Sequence, residues 1–275
     1  MRRLAVYALV FFVGLGVIIG GAILASQLLT RTPLTERCLA TAGDFSAQVG
    51  FEQAEYASLI SGTAVRRGLP PRAATIALAT AFQESDIRNI DYGDRDSLGL
   101  FQQRPSMGWG TPDQIMDPYY STEKFYDHLV TVRGYEQLPI AEAAQAVQRS
   151  AFGEAYARHE PSARALASTL TGQSPRGFSC TLVSDLPKGS VETVREDLRR
   201  TFGLDDEGDE AALRVEVDRP ALGWAVAHWA VANAKRLGIA SVTYAGYQWR
   251  SESSDAGWER ADRTDSDAVV LTLAP

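Results

Sequence analysis

Histidine and cysteine are scarce in this chain, with three and two among 275 residues. A protein zinc site takes three or four ligands, most of them from these residue types. The two cysteines do not form a C-x-x-C pair, and His128 and His159 lie on predicted helices without metal-ligand spacing. The H-E-x-x-H, G-x-S-x-G and phosphate-loop motifs are also absent. We therefore expect no metal and no other cofactor.

Concentrated positive charge is missing as well. Lys and Arg total 27 against 34 Asp and Glu, and the formal net charge is −7. A nucleic-acid-binding surface needs a basic patch or stripe, and no Lys/Arg cluster of that kind occurs. We expect no nucleic-acid partner.

Charge is absent altogether from Leu4 to Leu29. An apolar run longer than about 18 residues is long enough to cross a bilayer as a helix. The run exceeds the apolar region of a cleaved signal peptide, and its best small-residue end, Ile23-Leu24-Ala25, lacks the first small residue of a cleavage site. The sequence therefore predicts an uncleaved signal-anchor transmembrane helix over residues 1–30, with a cleaved signal peptide as the alternative.

Two positive side chains, Arg2 and Arg3, precede the apolar run. The positive-inside rule places them in the cytoplasm and everything after Thr30 outside. We expect a single-pass protein of the cytoplasmic membrane with the bulk of its chain extracytoplasmic. One span without an intramembrane charge offers no transport pathway, which excludes a transporter.

The two cysteines, Cys38 and Cys180, fit an extracytoplasmic location. In an oxidising compartment the simplest interpretation is one disulfide. It would close a loop long enough to stabilise the fold by about 4–5 kcal/mol in the chain-entropy model. Two unpaired buried thiols are the alternative.

Hydrophobic patterning indicates two folded regions after the apolar run. Residues 31–50 are assigned to a linker and the start of the outer region. Helical spacing of apolar residues then predicts a mainly α domain over 51–182. Alternating strands and an Ala-rich helix predict a small α/β accessory domain over 186–275. The predicted fold class is thus an N-terminal transmembrane helix, a mainly α domain and a small α/β C-terminal domain.

Glu84 stands at the end of a helix predicted from Arg72 to Gln83, which is rich in Ala, Ile, Leu and Phe. Burial disfavours a charged carboxylate and raises its pKa. A glutamic acid that keeps its proton can donate it to a glycosidic oxygen. Taken alone, a glutamate at a helix end is more often a solvated or capping residue.

The residues around Glu84 form a longer pattern. It reads Glu84-Ser85-x-Ile87-x-x-Ile90, followed by Ser97-x-Gly99-Leu100-Phe101-Gln102-x-x-Pro105. This pattern resembles the core of the soluble lytic transglycosylases and goose-type lysozymes, and the resemblance extends from Glu52 to Ala167. A longer string, over 83–85, 93–106 and 108–111, is shared with a set of actinobacterial exported proteins, which this chain resembles. The resemblance implies a lysozyme-like domain that cleaves peptidoglycan glycan strands.

The resemblance also implies roles for individual residues. Glu84 maps onto the catalytic acid/base, and Gln102 maps onto the glutamine that lines the cleft near it. Gly99 maps onto a position where backbone and glycan come close, which suits a residue without a side chain. Ser97 is a further candidate for orienting Glu84 or the substrate.

The chain departs from the family in a later segment. The transglycosylases carry an Ala-Tyr-Asn-Ala-Gly stretch whose tyrosine lies beside the catalytic acid. The matching stretch here, at 146–150, reads Ala-Val-Gln-Arg-Ser. Val147 lacks the hydroxyl, whereas Gln148 keeps an amide. Tyr156, about two helical turns further on, is the candidate for supplying the hydroxyl.

Asp94 and Asp96 are candidates for a second catalytic carboxylate, as a hydrolase would use. The lytic transglycosylases work without one, using the acetamido group of the substrate and ending in an anhydro sugar. The alternative, which we favour, is a salt-bridged loop through Arg95. Trp109 and Tyr92 are candidates either for stacking on sugar rings or for packing.

The C-terminal region resembles a domain of some actinobacterial cell-wall proteins, carried by the stretches from Gly223 to Ile239 and from Val242 to Trp249. That domain is distantly similar to the zinc-dependent D-Ala-D-Ala carboxypeptidase fold, whose active members need two histidines and an aspartate. The only histidine here is His228, inside an apolar helix. We expect His228 to pack in a core and the domain to be a binding or spacing module.

The sequence thus predicts cleavage of peptidoglycan glycan strands, by a lytic transglycosylase or muramidase, on the outer side of the cytoplasmic membrane. Glu84 is the predicted general acid/base. The alternative is a non-catalytic peptidoglycan-binding or scaffold protein that positions an envelope protein partner. Val147 and a second domain expected to be free of metal favour that alternative.

Overall fold

A computed structural model describes residues 35–149, 153–208, 212–262 and 267–275. The predicted transmembrane helix at residues 1–30 lies outside these ranges. Within them, no helix combines the length and the apolar character that crossing a bilayer requires. Residues 36–275 form one compact unit.

The first sheet is antiparallel, with three strands in the order β2-β1-β3. Its strands are β1 (Arg37–Ala42), β2 (Phe45–Val49) and β3 (Phe178–Thr181). Cys38 of β1 faces Cys180 of β3 in register, and the two form the predicted disulfide. The sheet therefore joins the two ends of the helical region that lies between β2 and β3.

Six α-helices occupy the described chain between β2 and β3. They are α1 (Phe51–Arg66), α2 (Pro71–Ser85), α3 (Pro112–Met116), α4 (Pro118–Leu129), α5 (Ile140–Gln148) and α6 (Glu160–Leu170). Two 3-10 segments, Pro105–Met107 and Gly153–His159, lie among them. Because α2 packs against α1, α5 and α6, it is the central helix of this region.

The central position of α2 follows from its side chains. All residues from Ala73 to Ala81 are buried, and most are small enough to let neighbouring helices approach closely. Pro71 begins the helix at a position where no backbone donor is needed. The helix ends where Asp86 and Ile87 adopt left-handed backbone angles, with φ of 56° and 53°. Glu84 therefore stands in the last turn of a buried helix.

The second sheet is antiparallel, with five strands in the order β4-β8-β5-β6-β7. Its strands are β4 (Ala212–Glu216), β5 (Ile239–Tyr244), β6 (Tyr247–Arg250), β7 (Glu259–Arg260) and β8 (Ala268–Leu273). The accompanying helices are α7 (Val191–Phe202), α8 (Pro220–Ala232), α9 (Ala234–Leu237) and a 3-10 segment at Ser251–Ala256.

Helix α8 is apolar on all sides and packs on both regions, against β5 and β8 and against α1 and α6. His228 in α8 is fully buried, as predicted, with Nδ1 2.7 Å from the carbonyl oxygen of Thr169 in α6. Asn233 donates to Oγ of Ser58 in α1 at 3.0 Å. The sheet region and the helical region therefore share one continuous core.

The predicted fold class is wrong. It consists of an N-terminal transmembrane helix, a mainly α domain around Glu84 and a small α/β domain. The described chain is mixed α/β with two sheets. Strands β1 and β2 lie in the segment 31–50 that patterning assigns to a linker. These strands are short and rich in Ala, Thr and Ser. They pair with each other as a hairpin across Gly43 and Asp44, and β1 also pairs with the distant strand β3, which local periodicity does not reveal.

Candidate active site

Glu84 is half-buried in the last turn of α2. The next residue, Ser85, is buried, and its hydroxyl donates to the carbonyl oxygen of Leu100 at 2.7 Å. The same hydroxyl accepts from the backbone N–H of Arg88 at 3.2 Å. Ser85 therefore ties the end of α2 to the segment that follows Gly99, and holds Glu84 beside it.

Two side chains contact the carboxyl of Glu84. The hydroxyl of Tyr156, which is fully buried, donates to Oε1 at 2.6 Å. The side chain of Gln148 is the second neighbour, close enough to lower the pKa of the carboxyl. Burial raises the pKa of Glu84, and Tyr156 and Gln148 offset only part of that rise. The carboxyl thus keeps its proton to a higher pH than an ordinary glutamate, as a general acid requires.

The last turn of α5 supplies Gln148, whose amide nitrogen also donates to the carbonyl oxygen of Phe101 at 2.7 Å. Val147 beside it is buried. Helix α5 ends there because Arg149 adopts a left-handed backbone, with φ of 53°. The 3-10 segment Gly153–His159 that follows brings Tyr156 to Glu84. The hydroxyl that Val147 lacks is therefore supplied from a different element.

Glu84 lines an open cleft of about 570 Å³. Three other predicted site residues, Ser97, Gln102 and Gln148, line the same cleft. The remaining lining residues are Asp94, Arg95, Arg104, Met107, Trp109, His128, Val147 and Arg149. A second cavity of about 380 Å³, between the β1–β2 turn and α2, has no carboxylate in its lining. The cleft at Glu84 is therefore the candidate for acid/base chemistry.

Close contacts shape the loop that carries Gln102. Leu98 and Gln103 exchange backbone hydrogen bonds of 3.0 and 2.9 Å. Gln102 has a φ of 47°, and its amide nitrogen donates to the carbonyl oxygen of Tyr92 at 3.2 Å. A Cβ on Gly93 would lie 1.9 Å from Oε1 of Gln102. Glycine at position 93 therefore leaves room for the Gln102 side chain.

The structure places Gly99 away from the cleft lining, in a buried position. Its φ is +75°, and a Cβ there would lie 2.9 Å from the carbonyl oxygen of Ile115 and 3.3 Å from Oδ1 of Asn89. Gly99 therefore allows the loop to pack closely on α3. Ser97 does line the cleft, but the hydrogen bond to Glu84 in the described chain comes from Tyr156.

The two candidate second carboxylates differ in their surroundings. Asp96 accepts from Nε of Arg104 and from the backbone N–H of Ser106, each at 2.8 Å. These bonds hold the pKa of Asp96 well below its usual range. Asp94 lines the cleft, is exposed to solvent, and lies 3.8 Å from Arg95. Asp96 is therefore engaged in holding the loop, whereas Asp94 is accessible.

The two candidate aromatic residues also differ. Trp109 is half-buried, lines the cleft, and has its ring centroid 4.3 Å from that of His128. It therefore packs and faces the cleft at the same time. Tyr92 is 69% exposed and is not a lining residue.

Sequence patterning does not single out Arg149 as a cleft residue. The stretch from Ile140 to His159 has the periodicity of one helix, and neither glycine nor proline marks its interruption at Arg149. The left-handed backbone of Arg149 becomes visible only in the structure.

Residues 211–269 are similar to the family described as VldE, C-terminal domain. This match covers less than a quarter of the chain and includes none of the residues that line the cleft. No curated protein matches the chain.

Proposed function

We propose that this protein cleaves the glycan strands of peptidoglycan outside the cytoplasm, with Glu84 as its general acid/base. The observation that carries the proposal is the environment of the Glu84 carboxyl group. Glu84 lines an open cleft, its pKa is raised by burial, and the buried hydroxyl of Tyr156 holds its Oε1. A carboxyl of this kind is suited to give a proton and then to take one back.

One carboxyl group is sufficient for the proposed cleavage of the glycosidic bond. Because Oε1 of Glu84 accepts from Tyr156, the carboxyl proton belongs on Oε2. Its transfer to the glycosidic oxygen lets the bond from that oxygen to C1 break, and the acetamido oxygen of the substrate bonds to C1 in its place. The carboxylate then accepts the proton of the C6 hydroxyl as the C6 oxygen bonds to C1 and the bond from C1 to the acetamido oxygen breaks, which restores the neutral acetamido group and the protonated acid. The products are a new chain end and a 1,6-anhydro sugar, the outcome that the resemblance to lytic transglycosylases implies.

The surroundings of the aspartates support a single-carboxylate route. Asp96 is held by Arg104 and Ser106, so it is not free to act on a substrate. Asp94 is accessible, and a hydrolytic route in which it holds a water would release reducing ends instead. The products therefore distinguish the two routes.

The disulfide supports the extracytoplasmic location. Cys38 and Cys180 are both buried and bonded to each other. Disulfides persist in oxidising compartments and are rare in the cytosol. Peptidoglycan lies in such a compartment.

The test is an analysis of the sugars released when the purified protein is incubated with peptidoglycan. We expect anhydro-muropeptides from the wild type, detected by mass spectrometry. Glu84→Gln removes the proton donor and lowers the release by about 10²–10⁴-fold. Glu142→Gln is the matched control, because Glu142 is exposed on α5 and lies outside the cleft lining. Equal release by the wild type and Glu84→Gln would rule out the proposed role.

A second candidate function is non-catalytic binding of peptidoglycan. Val147 supports it, since an apolar side chain lines the cleft where the resemblance implies a tyrosine. This candidate predicts that the wild type binds glycan strands without releasing any sugar. Release that depends on Glu84 excludes it.

A further inference from the structure

Positive side chains gather in the cleft, although the whole chain has a net charge of −7. Two of its three arginines have acidic neighbours, since Arg104 bonds to Asp96 at 2.8 Å and Arg95 lies 3.8 Å from Asp94. The third, Arg149, forms no ion pair with any carboxylate of the described ranges. The residues at 150–152 are Ser, Ala and Phe, which carry no charge. Arg149 is therefore the unbalanced cation of the cleft.

The backbone places Arg149 beside the catalytic group. Its left-handed conformation ends α5 directly after Gln148. The amide of Gln148 contacts both Glu84 and the carbonyl oxygen of Phe101. The position of the Arg149 backbone is therefore fixed by contacts that also hold the acid.

The positive charge of Arg149 acts on another residue of the cleft, His128. Burial lowers the pKa of His128, Asp127 opposes this, and the nearby positive charges of Lys124 and Arg149 lower it further. The His128 ring also packs on the indole of Trp109. Arg149, His128 and Trp109 all line the cleft, so the cleft offers an aromatic ring together with a positive charge that no carboxylate of the described ranges pairs.

We propose that the cleft contains a subsite for a sugar that bears a carboxylate, with the sugar ring against Trp109 and the carboxylate on Arg149. The inference rests on the proposed function, because it assumes that a glycan occupies the cleft. A guanidinium binds a carboxylate through two parallel N–H···O bonds, which gives both energy and orientation. The subsite therefore selects acidic glycans over neutral ones with the same ring and acetamido groups.

Peptidoglycan offers carboxylates from two sources. Strands without peptides expose the lactyl carboxylate of the muramic acid residues. Strands with peptides expose the carboxylates of the peptide stems instead. The chemistry that Arg149 recognises is the same in both cases, so the two kinds of strand form separate arms of the test.

The test measures binding in a Glu84→Gln background, where the amide stands in for the protonated acid and cleavage does not interfere. Isothermal titration calorimetry is performed with three ligands: an N-acetylglucosamine hexamer, peptide-free peptidoglycan strands and peptide-bearing strands. We expect Arg149→Gln to weaken binding of a carboxylate-bearing strand by about tenfold, as loss of one charge-assisted contact implies. Binding of the neutral hexamer should not change. The affected kind of strand identifies the source of the carboxylate.

The control variant is Arg133→Gln, because Arg133 is exposed and lies outside the cleft lining. It should leave all three affinities unchanged. The subsite is overturned if Arg149→Gln changes no affinity, or if it weakens the neutral hexamer as much as the acidic strands. In either case the wild-type release of sugars still decides the proposed function separately. If no glycan binds to the folded protein, both proposals fail.

Discussion

The hydroxyl of Tyr156 lies 2.6 Å from Oε1 of Glu84, although 72 positions separate the two residues in the sequence. Tyr156 is fully buried, whereas the carboxyl that it contacts lines an open cleft. The acid comes from the end of α2 and its partner comes from a 3-10 segment beyond α5. This contact lowers the pKa that burial raises, and so adjusts the proton affinity of the acid.

Tyr156→Phe removes that contact and raises the pKa of Glu84 further. Since Glu84 must begin the reaction protonated, the cleavage rate falls as the pH rises through its pKa. We predict that this alkaline limb moves to higher pH in the variant, and that the maximal rate falls about tenfold because the ionised acid loses a hydrogen bond. The measurement is a pH–rate profile of sugar release.

Tyr126→Phe is the control for that variant. It also removes one buried tyrosine hydrogen bond, of 2.9 Å to the carbonyl oxygen of Ile60, but it does not touch Glu84. Its profile should match the wild type. Superimposable profiles for Tyr156→Phe and the wild type would show that the contact has no effect on the acid.

Gly99→Ala should destabilise the loop beneath the cleft. The left-handed backbone alone costs about 1 kcal/mol with alanine, and the new Cβ would lie 2.9 Å from the carbonyl oxygen of Ile115. Overpacking adds about 1–3 kcal/mol. Gly108 has a similar φ of +81° but nothing near its Cβ position, so Gly108→Ala reports the backbone cost alone. Urea unfolding should show a larger loss for Gly99→Ala, and equal losses would refute the close approach.

Replacing both cysteines by serine should lower the free energy of unfolding by about 4–5 kcal/mol in the chain-entropy model. The disulfide joins residues 142 positions apart, and so restricts the unfolded chain over most of the helical region. Denaturant unfolding with and without reductant measures the effect. Reductant should destabilise only the wild type, and a wild type that is insensitive to reduction would contradict this prediction.

His228 should make stability depend on pH. Burial lowers its pKa to about 4, against the opposing bond to Thr169. In the unfolded chain the pKa of a histidine is about 6.5. Between about pH 4 and 6.5 the unfolded chain therefore binds more protons at this residue than the folded protein does. The folded state has its full stability, as far as His228 is concerned, above about pH 6.5. The free energy of unfolding then falls by about 3 kcal/mol as the pH is lowered to about 4.

Urea unfolding at pH 7, 5.5 and 4 tests this dependence, with His228→Asn as the comparison. Asparagine can still donate to Thr169 but does not titrate. The variant is less stable at neutral pH, because it leaves a cavity near Trp224, and it should lack the histidine contribution to the pH slope. Identical slopes for both proteins would assign the acid sensitivity to other groups.

Part of the site is visible in the sequence, because Glu84, Ser97 and Gln102 are close together along the chain. The helix that carries Glu84 is predicted from an unbroken apolar stretch. The position of Gln102 near the end of that helix is implied by the resemblance to the lytic transglycosylases and goose-type lysozymes. Both side chains line the same cleft. The disulfide is predicted as well, since the chain offers only two cysteines.

The remaining features depend on contacts that local patterns do not encode. Patterning predicts one strand from Ser241 to Trp249, but Ala245 and Gly246 adopt positive φ and fold it into the hairpin β5–β6. The sheet of β1, β2 and β3 is missed because β1 and β2 are short and β3 lies far along the chain. Periodicity also predicts that the helix continues past Arg149. In the structure the left-handed backbone of Arg149 ends α5 and directs the chain toward Tyr156.

The central claim is that the cleft raises the pKa of the Glu84 carboxyl above that of an ordinary glutamate. A ¹³C NMR titration of its carboxyl carbon, assigned by comparison with Glu84→Gln, tests this most directly. We predict a pKa above that of an ordinary glutamate, coinciding with the alkaline limb of the pH–rate profile for sugar release. Titration at or below the ordinary value would contradict the claim.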